Sequence, residues 1–361
     1  MSLSSIRSTE DLWRFGFLAA ALLANLPPIY QFIGSMVWFH HYLGDYQVFW
    51  GITKIPADAI YDHRVFAYPP TALILFWPFG HLPFWPSLIS WSAAGLAAIC
   101  CAARRVLPPR SIAIGLLTFA GIGVVLGGQI SLFVGALVIA GLSASQPRWR
   151  GALLASAALI KPQSLLAAPI ALLAGREWKA FGWAAAVGVG LLLVSALLFG
   201  LDPWLRWLTE LPKFHAYLIS RGIDRMDVGV YGLARLLGLP GWTFLFAVPL
   251  GIATSWVVFR NDAATLLDRY AAFAASSVLM SPYTLYYDLA GLTFASVALL
   301  LDRDRSPLIW LAAAMIVSSI FASFGIVLLA VVLTYEALRR PIRSAAPEVK
   351  PEPRLQRWKF S

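Results

Sequence analysis

The residues of this chain best suited to chemistry are an acid at a membrane exit, a cation inside apolar sequence and a late Tyr-Tyr-Asp cluster. The acid is Asp45, in Gly44-Asp45-Tyr46, followed by Tyr61-Asp62-His63-Arg64 and Tyr68-Pro69-Pro70. Partial burial at a membrane surface raises a carboxylate pKa toward neutrality, which suits a general base. Taken without context, Asp45 reads first as a solvated loop acid or a cap on an interfacial helix. Asp58 and Asp62 read as acids of a turn or short helix that position the loop.

Lys161 is the cation, in Ala157-Ala158-Leu159-Ile160-Lys161-Pro162-Gln163. An ionisable group at membrane depth is costly and points to function. Near the outer end of a half-helix it could hold a phosphate; it could also snorkel to the interface or pair with a carbonyl freed by Pro162. Gly127-Gly128-Gln129 is a turn that glycine's backbone freedom favours. In Ser281-Pro282-Tyr283-Thr284-Leu285-Tyr286-Tyr287-Asp288 a helix breaker is followed by Tyr-Tyr-Asp. Aromatics there are ordinary at a membrane interface, but the Pro and Asp between two short spans are less so. His215, Arg221 and Arg225 are loop charges that water solvates or a lipid phosphate engages.

The elements that position these groups are membrane helices. Of 361 residues, 59% are hydrophobic and only 13% charged, with a mean hydropathy of +0.72; a soluble domain carries about 25% charged residues. Trp occurs 15 times, and Trp collects at membrane interfaces. Cys100 and Cys101 are adjacent in an apolar run and read as packing residues. The first apolar run reads as a signal anchor rather than a cleavable signal.

A span needs about 20 apolar residues. Candidates are roughly 14–38, 83–103, 111–127, 130–145, 180–200, 241–259, 270–281, 286–301, 306–323 and 324–338. Pieces at 70–80, 151–160 and 163–175 read as half-length or re-entrant helices. The expected fold is an all-α polytopic bundle of about 11–13 transmembrane or re-entrant helices. Residues 1–338 form the membrane domain, and 339–361 a basic, disordered cytoplasmic tail. A dipping helix at 70–80 keeps Arg104 and Arg105 inside.

The net charge of +10 suggests nucleic acid, but its distribution suggests orientation. With both termini in the cytoplasm, 20 of the 28 basic residues lie inside and seven outside, as the positive-inside rule requires. Two loops, about 39–70 and 201–240, then lie outside. The second mixes Trp204, Trp207, Phe214 and Tyr217 with Arg206, Glu210 and Lys213, the pattern of an interfacial helix.

Gly44-Asp45-Tyr46, Tyr61, Tyr68-Pro69-Pro70, Gly128-Gln129, Lys161-Pro162 and Ser281-Pro282 with Asp288 follow the order found in glycosyltransferase family 87. The resemblance covers about residues 40–300. It implies a GT-C bundle, similar to the polyprenyl-phosphate-mannose-dependent mannosyltransferases, that moves a sugar from a polyprenyl-phosphate donor at the outer membrane face. It also implies that the first-loop acid, Asp45, is the base.

A glycosidase needs two carboxylates, one to protonate the departing oxygen. A polyprenyl phosphate leaves without such an acid, so one base and phosphate-binding cations suffice. Direct displacement inverts the anomeric centre. The expected set is therefore Asp45 as base, with Lys161, His215, Arg221 and Arg225 on the donor phosphate. Tyr46, Tyr68, Gln129, Tyr283, Tyr286 and Asp288 shape the sugar or acceptor site. No cofactor, metal or nucleic acid is expected; the partners are the lipid-linked donor, a lipid or glycan acceptor and the lipids of the inner (plasma) membrane. The rival readings are a lipid or glycolipid transporter and a membrane scaffold.

Overall fold

The computed structural model describes residues 9–38, 44–63, 66–220, 222 and 226–339. Among them the fold is all-α, with one isolated antiparallel bridge, Asp227 to Leu285, as its extended pairing. An apolar chain in lipid satisfies its backbone polar groups within helices, and 18 α-helices do so among the described residues.

α1 (Thr9–Ala24) and α2 (Leu26–Trp38) form one apolar run with a break at Asn25. The buried Asn25 amide donates to Ala21 O and, at 2.9 Å, to Val317 O, while its oxygen accepts from Phe119 N at 2.7 Å. α3 (Gly44–Ile52) carries Asp45, and a 3₁₀ helix follows at Ala57–His63. α4 (Ala72–Gly80) is about 14 Å long, too short to cross a core of about 30 Å. It turns at 81–83 into α5 (Phe84–Ala103), which is long enough.

The expected span 111–127 is two helices, α6 (Pro109–Gly115) and α7 (Phe119–Leu126), bent by 81°. The Thr118 hydroxyl caps α7 by accepting from Gly121 N at 3.1 Å, so the bend has its own hydrogen bond. α8 (Ser131–Ser143) and α9 (Pro147–Ile160) form a hairpin; α9 stops at Lys161, where Pro162 removes a backbone donor. α10 (Ala168–Ala174) leads to α11 (Trp178–Phe199), the longest helix.

α12 (Asp202–Ser220) is amphipathic, as its spacing predicts, and α13 (Val230–Leu236) follows. α14 (Val248–Arg260), α15 (Leu266–Met280), α16 (Ala290–Leu301), α17 (Pro307–Val317) and α18 (Ala322–Arg339) close the bundle. The core runs through α15, α16 and α17, whose Ala-rich faces are fully buried.

The predicted count of 11–13 is refined by helix length. Among the described residues, five helices suffice to span a membrane, or six if α6 and α7 are one span, alongside four shorter apolar helices. Breaks at polar or proline-containing positions explain the difference. The tail beyond Arg339 lies outside the described residues.

The basic connections gather at one end. Arg14 donates to Leu301 O at 3.2 Å, Trp310 to Asp302 O at 3.0 Å and Asn261 to Ala337 O at 2.7 Å. Arg150 pairs with Glu177, and Arg305 with Asp268 and Asp302. The predicted site residues lie at the other end, where α8, α16 and α18 begin and α9 and α15 finish.

Candidate functional site

Asp45 occupies the first turn of α3. Its carboxylate accepts hydrogen bonds from the Gln129 amide and the Tyr287 hydroxyl. Burial raises its pKa above the ordinary carboxylate range, and these two bonds and the Lys161 charge only partly offset it. Gln129 arrives on a turn that needs glycine: Gly128 has φ +59°, and a Cβ there would meet the Tyr46 Cβ at 2.7 Å. Trp91 pins the turn by donating to Gly128 O at 2.8 Å. Gln129 Oε1 is buried and has no hydrogen-bond partner among the described residues.

Lys161 lies beside this acid. Its ammonium pairs with Asp288 and reaches Ser131 Oγ at 3.4 Å, while Ser131 donates to Asp288 at 2.9 Å. Two rings flank the ammonium, Tyr287 at 5.5 Å and Tyr68 at 5.7 Å, within cation–π range. Tyr61 fixes Tyr68 by donating to its carbonyl at 2.9 Å. Lys161 is not a snorkelling residue: it is paired inside the protein.

The segment 281–289 supplies the far wall. Gln163 donates to the Tyr283 hydroxyl at 3.2 Å. Tyr286 stacks on Phe119 with centroids 4.1 Å apart and fills the space that Gly123 leaves. Asp227 fastens the segment to the second loop: its carboxylate accepts from Gly229 N at 2.6 Å and Thr284 N at 3.0 Å. Burial pushes this carboxyl up to about 7 despite those bonds.

The structure thus brings together Asp45, Gln129, Lys161, Tyr68 and Asp288, with Tyr283 and Tyr286 beside them. Two expectations change. Tyr46 belongs to the core: it is 1% exposed, its hydroxyl bonds Ser87 at 2.6 Å, and it packs on Trp91. Consecutive helical residues point about 100° apart, so Asp45 and Tyr46 face different neighbours. Asp288 is the counterion of Lys161, which leaves that ammonium engaged rather than open.

The side chain of His215, and Arg221 and Arg225 entirely, lie outside the described residues, as does the Asp58 side chain. Asp62 positions its loop as expected: Arg206 of α12 bridges Asp62 at 2.7 Å and Asp202 at 2.6 Å. Trp207 adds a bond to Ala67 O at 2.9 Å, docking the second loop on the first.

Ser131, Gln163, Tyr287 and Asp227 are participants that sequence reasoning passed over. Ser131 and Gln163 each stand two residues beyond a chosen residue, and Tyr287 lies inside a chosen motif. Asp227 carried no spacing signal. Among the described residues, no three His, Cys, Asp or Glu side chains are grouped to hold a metal ion.

The family model of glycosyltransferase family 87 matches residues 66–282, more than half the chain. That span includes Tyr68, Gln129 and Lys161; Asp45 and Asp288 lie outside it and join the cluster through the contacts above. No curated protein and no solved structure gives a match. With an all-α polytopic fold and this match, the chain belongs to glycosyltransferase family 87 and is a membrane glycosyltransferase.

Proposed function

We propose that the protein transfers a sugar, mannose or another hexose or pentose, from a polyprenyl phosphate to a hydroxyl of a lipid-linked or cell-envelope glycan at the outer face of the plasma membrane. The observation that carries this reading is one polar cluster. In it a raised-pKa carboxylate, Asp45, lies within electrostatic reach of the buried Lys161–Asp288 pair.

The chemistry divides between these groups. Asp45 takes the proton of the acceptor hydroxyl, whose oxygen attacks the anomeric carbon. The bond to the phosphate oxygen breaks on the opposite face, inverting the centre, and its electron pair leaves with the polyprenyl phosphate. Burial lifts Asp45 toward the operating pH, where a general base is most effective. Lys161 offsets the charge on the departing phosphate, exchanging its contact with Asp288 for one with the leaving group. Ser131 donates to Asp288 during that exchange. The orphaned Gln129 Oε1 accepts from a sugar hydroxyl, which relieves the cost of an unpaired buried acceptor. His215, Arg221 and Arg225 belong to the second loop and are further phosphate ligands in this reading.

Sidedness follows from charge. The basic connections at the end opposite the cluster belong in the cytoplasm, which leaves the cluster and both long loops outside and both termini inside.

The test is sugar transfer from a polyprenyl-phosphate donor by the Asp45→Asn variant in membranes. The expected loss is about 10²–10⁴-fold with unchanged solubilised yield. Near-wild-type turnover by the folded variant removes Asp45 as base. Lys161→Ala is expected to weaken donor use more than acceptor use; equal effects remove the phosphate role.

A further inference from the structure

The end of the bundle opposite the cluster holds a groove of about 620 Å³ between the starts of α9 and α11. Arg148, Lys179, Gly182 and Trp183 line it. The two helices are clamped side by side, because a Cβ at Gly151 would meet the Trp183 Cβ at 2.9 Å. The groove faces lipid: of the 22 residues of α11, Ala180 and Ser195 are the buried ones. α11 is about 33 Å long, enough to cross a bilayer, so its first turn sits at head-group level. Trp149, Trp178 and Trp183 are all exposed there, as interfacial Trp are.

Charge in this groove is unbalanced. Helix starts are already positive and favour acids, yet Arg148, Arg150 and Lys179 lie in the first turns of α9 and α11. The nearby acid, Glu177, is taken by Arg150. Arg148 donates to the neutral Gln146 side chain at 2.8 Å and lies over the Trp149 ring. Neither Arg148 nor Lys179 has an acidic partner among the described residues. A Cβ at Gly182 meets nothing within 4 Å, so the floor of the groove is open.

We propose that this groove binds the phosphate head group of an anionic phospholipid. Arg148 and Lys179 hold the phosphate, Trp183 packs against the glycerol region and the acyl chains run along α11. The proposal goes beyond sugar transfer and does not depend on it.

Native mass spectrometry of the full chain tests this, with phosphatidylglycerol and phosphatidylcholine as probes. Wild type is expected to retain phosphatidylglycerol at least about tenfold better than phosphatidylcholine. Arg148→Gln/Lys179→Gln is expected to lose that preference by about tenfold or more. Gly182→Leu places a side chain in the groove, where a Cβ meets nothing within 4 Å, and is expected to lose it too. Equal retention of both lipids by wild type overturns the proposal, as does wild-type phosphatidylglycerol binding in either folded variant. Competition by inorganic phosphate as effective as that of the lipid also overturns it, because the site would then take free anions. If the double variant does not fold, Gly182→Leu alone decides.

Discussion

Lys161 and Asp288 are 127 positions apart in the chain, yet they form an ion pair whose side chains are only 3% and 8% exposed. The pair joins the break after α9 to the break before α16. Lys161 also faces Tyr68 from the first loop, so one ammonium touches three separate stretches of sequence. A buried charge is tolerated when paired and hydrogen-bonded, and Ser131 supplies the additional bond.

Removing one partner leaves the other uncompensated. Lys161→Met or Asp288→Leu is expected to destabilise the solubilised protein by about 3–5 kcal/mol, and the double variant by much less than the sum. Thermal unfolding of all four forms measures this coupling. Additive losses would show that the pair contributes no interaction of its own.

The hydrogen bond from Gln129 lowers the Asp45 pKa against the larger effect of burial. Gln129→Leu removes it, so the carboxyl holds its proton to higher pH. The acidic limb of the kcat/KM profile is expected to move upward in pH. A limb that stays in place would mean that Asp45 is not the group titrating there.

Asp227 carries a second pH dependence. Its pKa rises from an ordinary 3.8 to about 7 in the fold, so between those values the native state holds a proton that the unfolded chain has lost. Stability from this group is complete below about pH 4 and is lost as pH rises through about 7. Asp227→Asn removes the effect. Between about pH 5 and about pH 8, wild type is expected to lose melting temperature relative to the variant. A difference that is constant with pH would refute this assignment.

Gly128 combines a left-handed backbone with close contact to Tyr46. Gly128→Ala is expected to cost at least about 1–2 kcal/mol from backbone conformation alone, and more from overlap with the ring. Adding Tyr46→Ala should relieve only the overlap with the ring, because alanine keeps the Cβ that lies 2.7 Å away. Thermal unfolding that is unchanged in Gly128→Ala would mean that the turn is not strained by a side chain.

The sequence by itself determined the class, the helical architecture and most members of the cluster. Composition dictates helices in lipid, because an apolar chain there satisfies its backbone only in that way. Ionisable or helix-breaking residues such as Lys161-Pro162 and Ser281-Pro282 stand out because apolar sequence has no packing need for them. Only the tertiary structure decided which groups face one another. Tyr46 and Asp45 are neighbours in sequence but are directed apart by helical rotation, so one packs the core and the other meets Gln129. Asp288 and Lys161 each looked available for substrate, and packing made them partners. Asp227 was silent because its bond to the Gly229 amide is an ordinary local turn, while its bond to Thr284, 57 positions on, is a contact that no local pattern records. Periodicity and composition are local properties; a site assembled from five stretches of chain is settled where those stretches pack.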